Sequence, residues 1–315
     1  MANKFSNSVF TRRTSDSVAA LGEEKLIVAI RRWLGSASPR APFGIGDDCA
    51  VLPAARGPQL ITVDPVIYGR HFDASIAPRA VGAKLLKRNL SDLAAMGGNP
   101  TAAVLALTLD PRTRLVWLEA FYRGLATCAR GYGVSIVGGD IAQADNVLAA
   151  SLTLLGTTSG SRILTRTGAR LGDALYVTGT LGRSLRSGHH FRFFPRLAEG
   201  NWLARQPAVR AMMDVSDGLA KDLHALTPPG AAPALEAAAL PLRRGANLRA
   251  ALTEGEDYEL VFALAARSDE SAFAAAWRRA FPHTRLTRIG CFARRGALPP
   301  TALRLEAFSG YEHLR

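Results

Sequence analysis

The sequence predicts a mixed α/β (α+β) protein of two domains, on three observations: its length, the alternation of strand-like and helix-like segments, and a composition break near the middle. With 315 residues the chain can bury two medium cores, because a domain usually holds roughly 100 to 200 residues. Alternating strands and helices are the pattern of sheets covered by helices. The break TTSGSRILTRTGARLGD, at 157–173, is rich in Gly, Thr and Ser and sets a boundary near residue 160. The expected organisation is a loose polar tail over 1–20, a first domain over 21–160 and a second over 161–315.

The elements follow in order. Leu26, Ile30, Trp33 and Leu34 recur at helical spacing over Gly22–Leu34, and Gly35 and two prolines end the run. GIGDD at 44–48 is a glycine-acidic turn, and QLITVDP reads as a short buried strand ending near Asp64. Ala77–Met96 is a helix stopped by Gly97, Gly98 and Pro100; AAVLALTL is a strand and Arg112–Gly131 a helix. GVSIVGGD reads as a strand running into a glycine turn. VLAASLTLLG is a strand with Leu148, Ala150, Leu152 and Leu154 on one face. Past the break come a strand at ALYVTGT, a basic and aromatic segment, a helix over 195–206, a strand ending in MMDVSDG and a helix from Leu219. TPPGAAPALEAAALP reads as a low-complexity surface excursion with a short strand. YELVFAL, a helix over Asp269–Ala280 and a strand at LTRIGCF complete the second domain.

Composition narrows the function classes. Hydrophobic residues make up 48% and charged residues 21%, as in ordinary globular proteins. No apolar run approaches the roughly 20 residues that span a bilayer, and the N-terminal stretch lacks the apolar core of a signal peptide. Cys49, Cys128 and Cys291 form neither a CxxC pair nor a zinc set, so a reducing cytoplasm is the expected setting. The formal charge of +13 raises nucleic-acid binding or attraction of a polyanionic small substrate. The arginines are scattered and no nucleic-acid motif accompanies them, so neither nucleic acid nor membrane is expected as a partner.

The acidic residues carry the chemistry. Asp47 and Asp48 lie in the glycine turn, and Asp64 lies at a strand end. Asp92 follows Asn89 by one helical turn, Asp140 follows Gly138-Gly139, and Asp214 and Asp217 flank Ser216. Unpaired carboxylates raise one another's pKa and cost stability, a penalty that divalent cations remove. Oxygen ligands without His or Cys favour Mg²⁺, which completes its shell with water and substrate phosphates. The chain has no GxxxxGK[ST] loop and no HRD or DFG signature, which leaves metal bridging as the way to hold a nucleotide polyphosphate.

The blocks GIGDDCAVL (44–52), TVDPVIYGRHF (62–72), KRNLSDLAAMGGNP (87–100), GGDI (138–141), RTGARLGDALYVTGTLG (166–182), MDVSDGLAKDL (213–223) and EGEDYELVF (254–262) occur in the order seen in thiamine-monophosphate kinases, and the sequence resembles that family from about residue 22 onwards. The resemblance implies the two-domain fold of aminoimidazole ribonucleotide synthetase, with the first domain binding ATP and Mg²⁺ and dimerising through its sheet. It implies a homodimeric kinase that uses ATP and several Mg²⁺ ions to convert thiamine monophosphate to thiamine diphosphate by direct transfer. Metal ligands correspond to Asp48, Thr62, Asp64, Asp92, Asp140, Asp214 and Asp217, and ATP contacts to Gly139, Asp140, Arg166 and Ser216. Substrate contacts correspond to His71, Glu256 and Phe308.

Four places depart from the family pattern. Val63 stands where a hydroxyl residue is common, Ile141 replaces the Thr of GGDT, Phe308 replaces a Trp, and the segment from Gly182 to Pro195 is short. None removes a carboxylate. No catalytic base is assigned, because a phosphate monoester with second pKa near 6 is already largely ionised at neutral pH. Cys49 is read as a packing residue rather than a nucleophile. Superfamily relatives with other acceptors, and a non-catalytic binding module, are the alternatives. The GED block and FSGY oppose the first, and the intact aspartates oppose the second.

Overall fold

Leu26, Ile30, Trp33 and Leu34 are buried along one side of helix α1 (Gly22–Leu34), and the helix stops where Gly35 takes a positive φ. This is a computed structural model, and it describes residues 9–55, 57–158 and 162–312. The chain divides into one unit of Met1–Leu90 with Pro100–Thr157 and another of Ser91–Asn99 with Thr158–Arg315. Ser91–Asn99 thus groups with the second unit, and the centre of the composition break, 159–161, lies outside the described residues.

In the first unit α1 is followed by β1 (Gln59–Ile67), α2 (Pro78–Ala95), β2 (Gly98–Leu109), α3 (Leu115–Tyr132), β3 (Ser135–Gln143) and β4 (Leu148–Thr158). The strands form one sheet in the order β1-β4-β2-β3, with β1 antiparallel to β4 and β2 parallel to β3. The expected face of β4 holds: Leu148, Ala150, Leu152 and Leu154 are buried. Leu85 and Leu86 of α2 and Leu118, Phe121 and Leu125 of α3 supply the helical side of this core.

Two expectations change. β1 is an edge strand with alternating exposure rather than a short buried one, and it runs three residues past Asp64, through Pro65, to Ile67. Proline is tolerated there because an edge strand has a side that needs no amide donor. GGD is not a turn: Gly138, Gly139 and Asp140 pair in register with Val104, Leu105 and Ala106. A Cβ at Gly139 would overlap the Leu105 carbonyl, so glycine is what lets the two strands approach.

The second unit carries β5 (Ala174–Thr178), α4 (Ser184–Ser187), α5 (His189–Arg192), α6 (Leu197–Ala204), β6 (Val209–Asp214), α7 (Leu219–Leu226), β7 (Ala231–Leu235), α8 (Leu248–Thr253), β8 (Leu260–Leu264), α9 (Glu270–Ala280) and β9 (Leu286–Arg294). Its sheet, β6-β8-β5-β9-β7, is antiparallel at each pairing. Leu175, Val177, Val261 and Ala263 face α7 and α8, whereas Ala174, Tyr176, Phe262 and Leu264 face Leu203 of α6 and Trp277 of α9. Helices on both faces explain why β5 and β8 read as continuous apolar runs. The short strand expected within 227–241 is present as β7, but it lies in the core rather than at the surface. All of β7 is buried, and Ala231 and Leu235 join the core.

The expected tail over 1–20 also changes. Residues 1–8 lie outside the described residues, but Val9 and Val18 are buried, Arg114 N donates to Val9 O at 2.9 Å and Val18 N donates to Thr113 O at 2.9 Å. The corner that receives this segment is organised by Asp110, which is 1% exposed. Its carboxylate accepts Arg112 N at 2.7 Å, Arg112 Nε at 2.9 Å, Arg112 Nη2 at 2.6 Å and Asn146 N at 2.6 Å. The Arg112 guanidinium holds the Asp110 carboxyl well below the usual carboxylate range. A depressed carboxylate contributes stability that is present above its unfolded pKa of about 3.9 and is lost as pH falls toward the folded value. Acid titration of thermal unfolding should therefore show a loss below about pH 4 that is smaller in Asp110→Asn. Asp110→Ala should cost about 1–3 kcal/mol in urea unfolding at neutral pH.

Candidate active site

In the first unit the GIGDD turn, α1 and the middle of the β2–β3 pair enclose a cavity of about 510 Å³. Its polar wall holds Glu23, Asp47, Asp48, Gly139 and Asp140, and its apolar wall includes Ile27, Ile30 and Tyr122. Asp48 N donates to Asp47 Oδ1 at 3.0 Å, which folds the turn back on its own carboxylate. Asp140 is exposed because the strand that carries it is at the sheet edge.

On β1, Thr62 and Asp64 are half-buried on the face that also buries Leu60 and Val66. Asp64 is paired with Arg88 of α2 at 3.2 Å, and Arg88 also donates to Pro65 O at 2.6 Å. Val63 points to the opposite face, with Ile61, so the hydroxyl common in the family is missing from a face that carries neither Thr62 nor Asp64. His71 closes the turn after β1: its Nδ1 accepts Ile67 N at 3.1 Å, and Lys84 donates to its carbonyl at 3.3 Å. With Nδ1 accepting, the neutral ring carries its proton on Nε2.

In the second unit the end of β6 and the turn before β8 gather several of the other residues. Asp214 is buried and accepts Ser91 Oγ at 2.7 Å, beside the half-buried Asp92. Ser216 O accepts Glu256 N at 2.8 Å, which ties DVSDG to the GED block. Asp217 is paired with Lys221 at 2.6 Å. The amides of Ser216 and Asp217 donate to Asp222 Oδ2 at 3.0 and 3.1 Å, and burial, with the Asp217 charge next, pushes the Asp222 carboxyl up to about 7. Arg166 is exposed, on a segment held to β6 by Met212 N donating to Thr165 O at 3.0 Å. Phe308 is half-buried against the core, and, three residues on, the exposed Tyr311 donates through N to Asp217 O at 2.9 Å.

The turn that carries Glu256 is held by buried ion pairs on either side of Tyr258. Asp257 is fully buried, accepts Gly182 N at 2.8 Å and pairs with Arg243 at 2.7 Å; burial pushes its carboxyl up to about 6. Glu259 takes a bidentate grip from Arg196, Nε at 2.7 Å and Nη2 at 2.8 Å, and also accepts Thr178 Oγ1 at 2.7 Å. Tyr258 stacks on Phe193 with ring centroids 4.1 Å apart, and its hydroxyl reaches Glu256 Oε1 at 3.3 Å. Glu256 and Tyr258 both have positive φ, 63° and 53°, a conformation that non-glycine residues hold only where surroundings impose it.

Among the described residues no three His, Cys, Asp or Glu side chains gather closely enough to hold a metal by themselves. Mg²⁺ needs only one or two protein carboxylates, and the all-oxygen set of Asp48 and Asp140 on one cavity fits that demand.

Comparison with known proteins gives the family and the fold. The family described as AIR synthase related protein, N-terminal domain, matches residues 46–158. A thiamine-monophosphate kinase of Rhodopirellula baltica is 34% identical over 286 residues, covering 84% of this chain and 89% of that one. The chain belongs to the thiamine-monophosphate kinase family. It is accordingly an enzyme, a kinase. The crystal structure of thiamine-monophosphate kinase from Stenotrophomonas maltophilia K279a matches with a TM-score of 0.72 at 31% identity, over 84% of this chain and 93% of that one. AaThiL complexed with AMPPCP and TMP matches with a TM-score of 0.67 at 29% identity, over 97% of this chain and 100% of that one. The expected fold of this kinase family is thereby borne out.

Sequence reasoning missed the groups that hold the kinase motifs in place: Arg88, Ser91, Arg196, Lys221, Asp222 and Arg243. Asp222 had a signal, since it follows Gly218 by one helical turn and can cap the loop before it. Arg196 and Arg243 had none, because their partners are distant in sequence. Arg196→Ala would leave Glu259 buried and unpaired, so urea unfolding should show a loss of about 3–5 kcal/mol. Arg196→Lys should recover only part, because an ammonium cannot reproduce the bidentate contact.

Proposed function

We propose that this kinase transfers the γ-phosphoryl group of ATP to the phosphate of thiamine monophosphate, giving thiamine diphosphate and ADP. The observation that carries the reading is the cavity in which Asp48, Gly139 and Asp140 come together within a chain of this family. AaThiL, which holds AMPPCP and TMP, supports the pair of substrates.

A phosphate oxygen of the acceptor attacks the γ-phosphorus in line; the new P–O bond forms as the β–γ bridging bond breaks, and ADP leaves with the electron pair. The transition state is loose, so the protein's task is to position and to stabilise charge. Asp48, Thr62, Asp64, Asp92, Asp140, Asp214 and Asp217 are the residues that would hold Mg²⁺. When bound, the ions supply charge neutralisation at the phosphate oxygens. Arg166, exposed and without a side-chain partner among the described residues, is suited to a bidentate grip on ATP phosphates. Gly139 and Ser216 provide further ATP contacts, and His71, Glu256 and Phe308 contact the acceptor. A cytoplasmic setting fits the cysteines, none of which is paired among the described residues.

The resemblance also supports a homodimer formed through the first sheet. Ile61 and Val63 are 70% and 61% exposed on one face of β1, and Val104 of β2 is exposed too. An apolar sheet face of this kind suits a second copy.

Purified protein with ATP, Mg²⁺ and thiamine monophosphate should yield thiamine diphosphate and ADP in equal amounts. No product at saturating magnesium sinks the reading, and product from unphosphorylated thiamine revises the acceptor. Asp64→Asn should lower turnover on the order of 10²-fold or more with an unchanged circular dichroism spectrum, whereas Cys49→Ala should change little. Val63→Asp should shift the protein to a monomer in size-exclusion chromatography with light scattering; a persistent dimer would locate the contact elsewhere.

A further inference from the structure

A second cavity, of about 480 Å³, lies in the second unit beside α4 and α8, and no residue assigned above to metal, ATP or acceptor lines it. Its walls carry Arg183, Arg186, Asn247, Arg249 and Glu254. Elsewhere in this unit the buried or half-buried arginines have carboxylates: Arg196 with Glu259, Arg210 with Asp173, Arg243 with Asp257. The guanidinium groups of Arg183, Arg186 and Arg249 have no ion-pair or side-chain hydrogen-bond partner among the described residues. Like charges around one cavity repel, and an anion held between them removes that cost.

The position of Arg183 is set by the fold. It takes a left-handed conformation with φ 59°, and its guanidinium lies over Gly245, where an added Cβ would overlap Nη1. Asn247 accepts Ala250 N at 2.8 Å through its side-chain oxygen, which leaves its amide hydrogens as donors. The remaining wall residue is an acid. Glu254 is half-buried, and its Oε2 is shielded from solvent and has no hydrogen-bond donor among the described residues. An unsatisfied buried acceptor calls for a partner.

We propose that this cavity binds inorganic phosphate. The arginines match a tetrahedral oxyanion, because guanidinium donates to phosphate oxygens in a bidentate way. Glu254 adds a choice among oxyanions. At neutral pH inorganic phosphate keeps at least one P–OH, which can donate to a carboxylate. Sulfate and a fully ionised phosphate monoester have no proton to offer, so they meet Glu254 as a like charge. The site adjoins the turn of the proposed acceptor residue, since Ser184, next to Arg183, donates through Oγ to Glu256 O at 2.6 Å.

The test is calorimetric titration of the full chain with sodium phosphate, sodium sulfate and phenyl phosphate at constant ionic strength. A chelator in the buffer keeps divalent cations from holding the anion elsewhere. Wild type should bind phosphate saturably, at least tenfold more tightly than sulfate or phenyl phosphate. Arg186→Ala and Arg249→Ala, which change exposed side chains, should each weaken phosphate about tenfold. Glu254→Gln should narrow the preference for phosphate over sulfate to within about threefold. Absence of saturable phosphate binding, binding unchanged in both arginine variants, or equal affinity for phosphate and sulfate in wild type would each overturn the proposal. Kinase activity enters none of these readouts, so they stand apart from the assigned reaction.

Discussion

Much of the second unit depends on how one short segment, Glu256 to Glu259, is held. Asp257 and Glu259 point into the protein as buried acids, each closed by an arginine from a distant stretch, Arg243 and Arg196. A buried charge without its partner is costly, so the cations cannot drift away without destabilising the fold. Arg243 also donates to Thr180 O and Gly182 O, which fixes the loop after β5, and Arg196 anchors the aromatic segment that brings Phe193 onto Tyr258. The positive φ at Glu256 and Tyr258 is a conformation such a clamp can sustain. Glu256 is thereby presented by backbone that has little freedom.

A second theme is the way carboxylates suited to metal are balanced by the protein itself. Asp64 faces Arg88 and Asp217 faces Lys221. Asp222 instead spends its lone pairs on the amides of Ser216 and Asp217, and burial beside Asp217 favours its protonated form. These arrangements lower the repulsion that a cluster of aspartates would otherwise build up. They also separate the acids into two kinds: those held by a cation and those, such as Asp48 and Asp140, that open onto a cavity.

The elements that were legible in the sequence share a property: their burial is periodic. α1 and β4 matched because one side of each faces a core and the other does not. The misread stretches broke that link between composition and burial. The glycines of GGD signal a turn when read locally, but Gly139 is small because Leu105 passes close to it. The alanines and prolines of 227–241 look like a surface excursion, but small residues are what β7 needs to lie flush against β9 and the core. Residues 9–20 are polar on average, and only Val9, Ser17 and Val18 are buried. Although Asp64 and Asp140 lie within strands and Asp92 within a helix rather than at turns, the candidate aspartates were legible through the motifs that carry them. The ion partners were not.

The sequence by itself determined the family, through motifs whose order is independent of shape, and the number and kind of acidic groups available. Only the tertiary structure decided which of those groups meet a cation, which cap a loop and which open into a cavity. The reason is physical. A carboxylate's charge state and availability depend on burial and on neighbours within a few ångströms, and the chain brings such neighbours from far along the sequence: Arg196 to Glu259, Ser91 to Asp214.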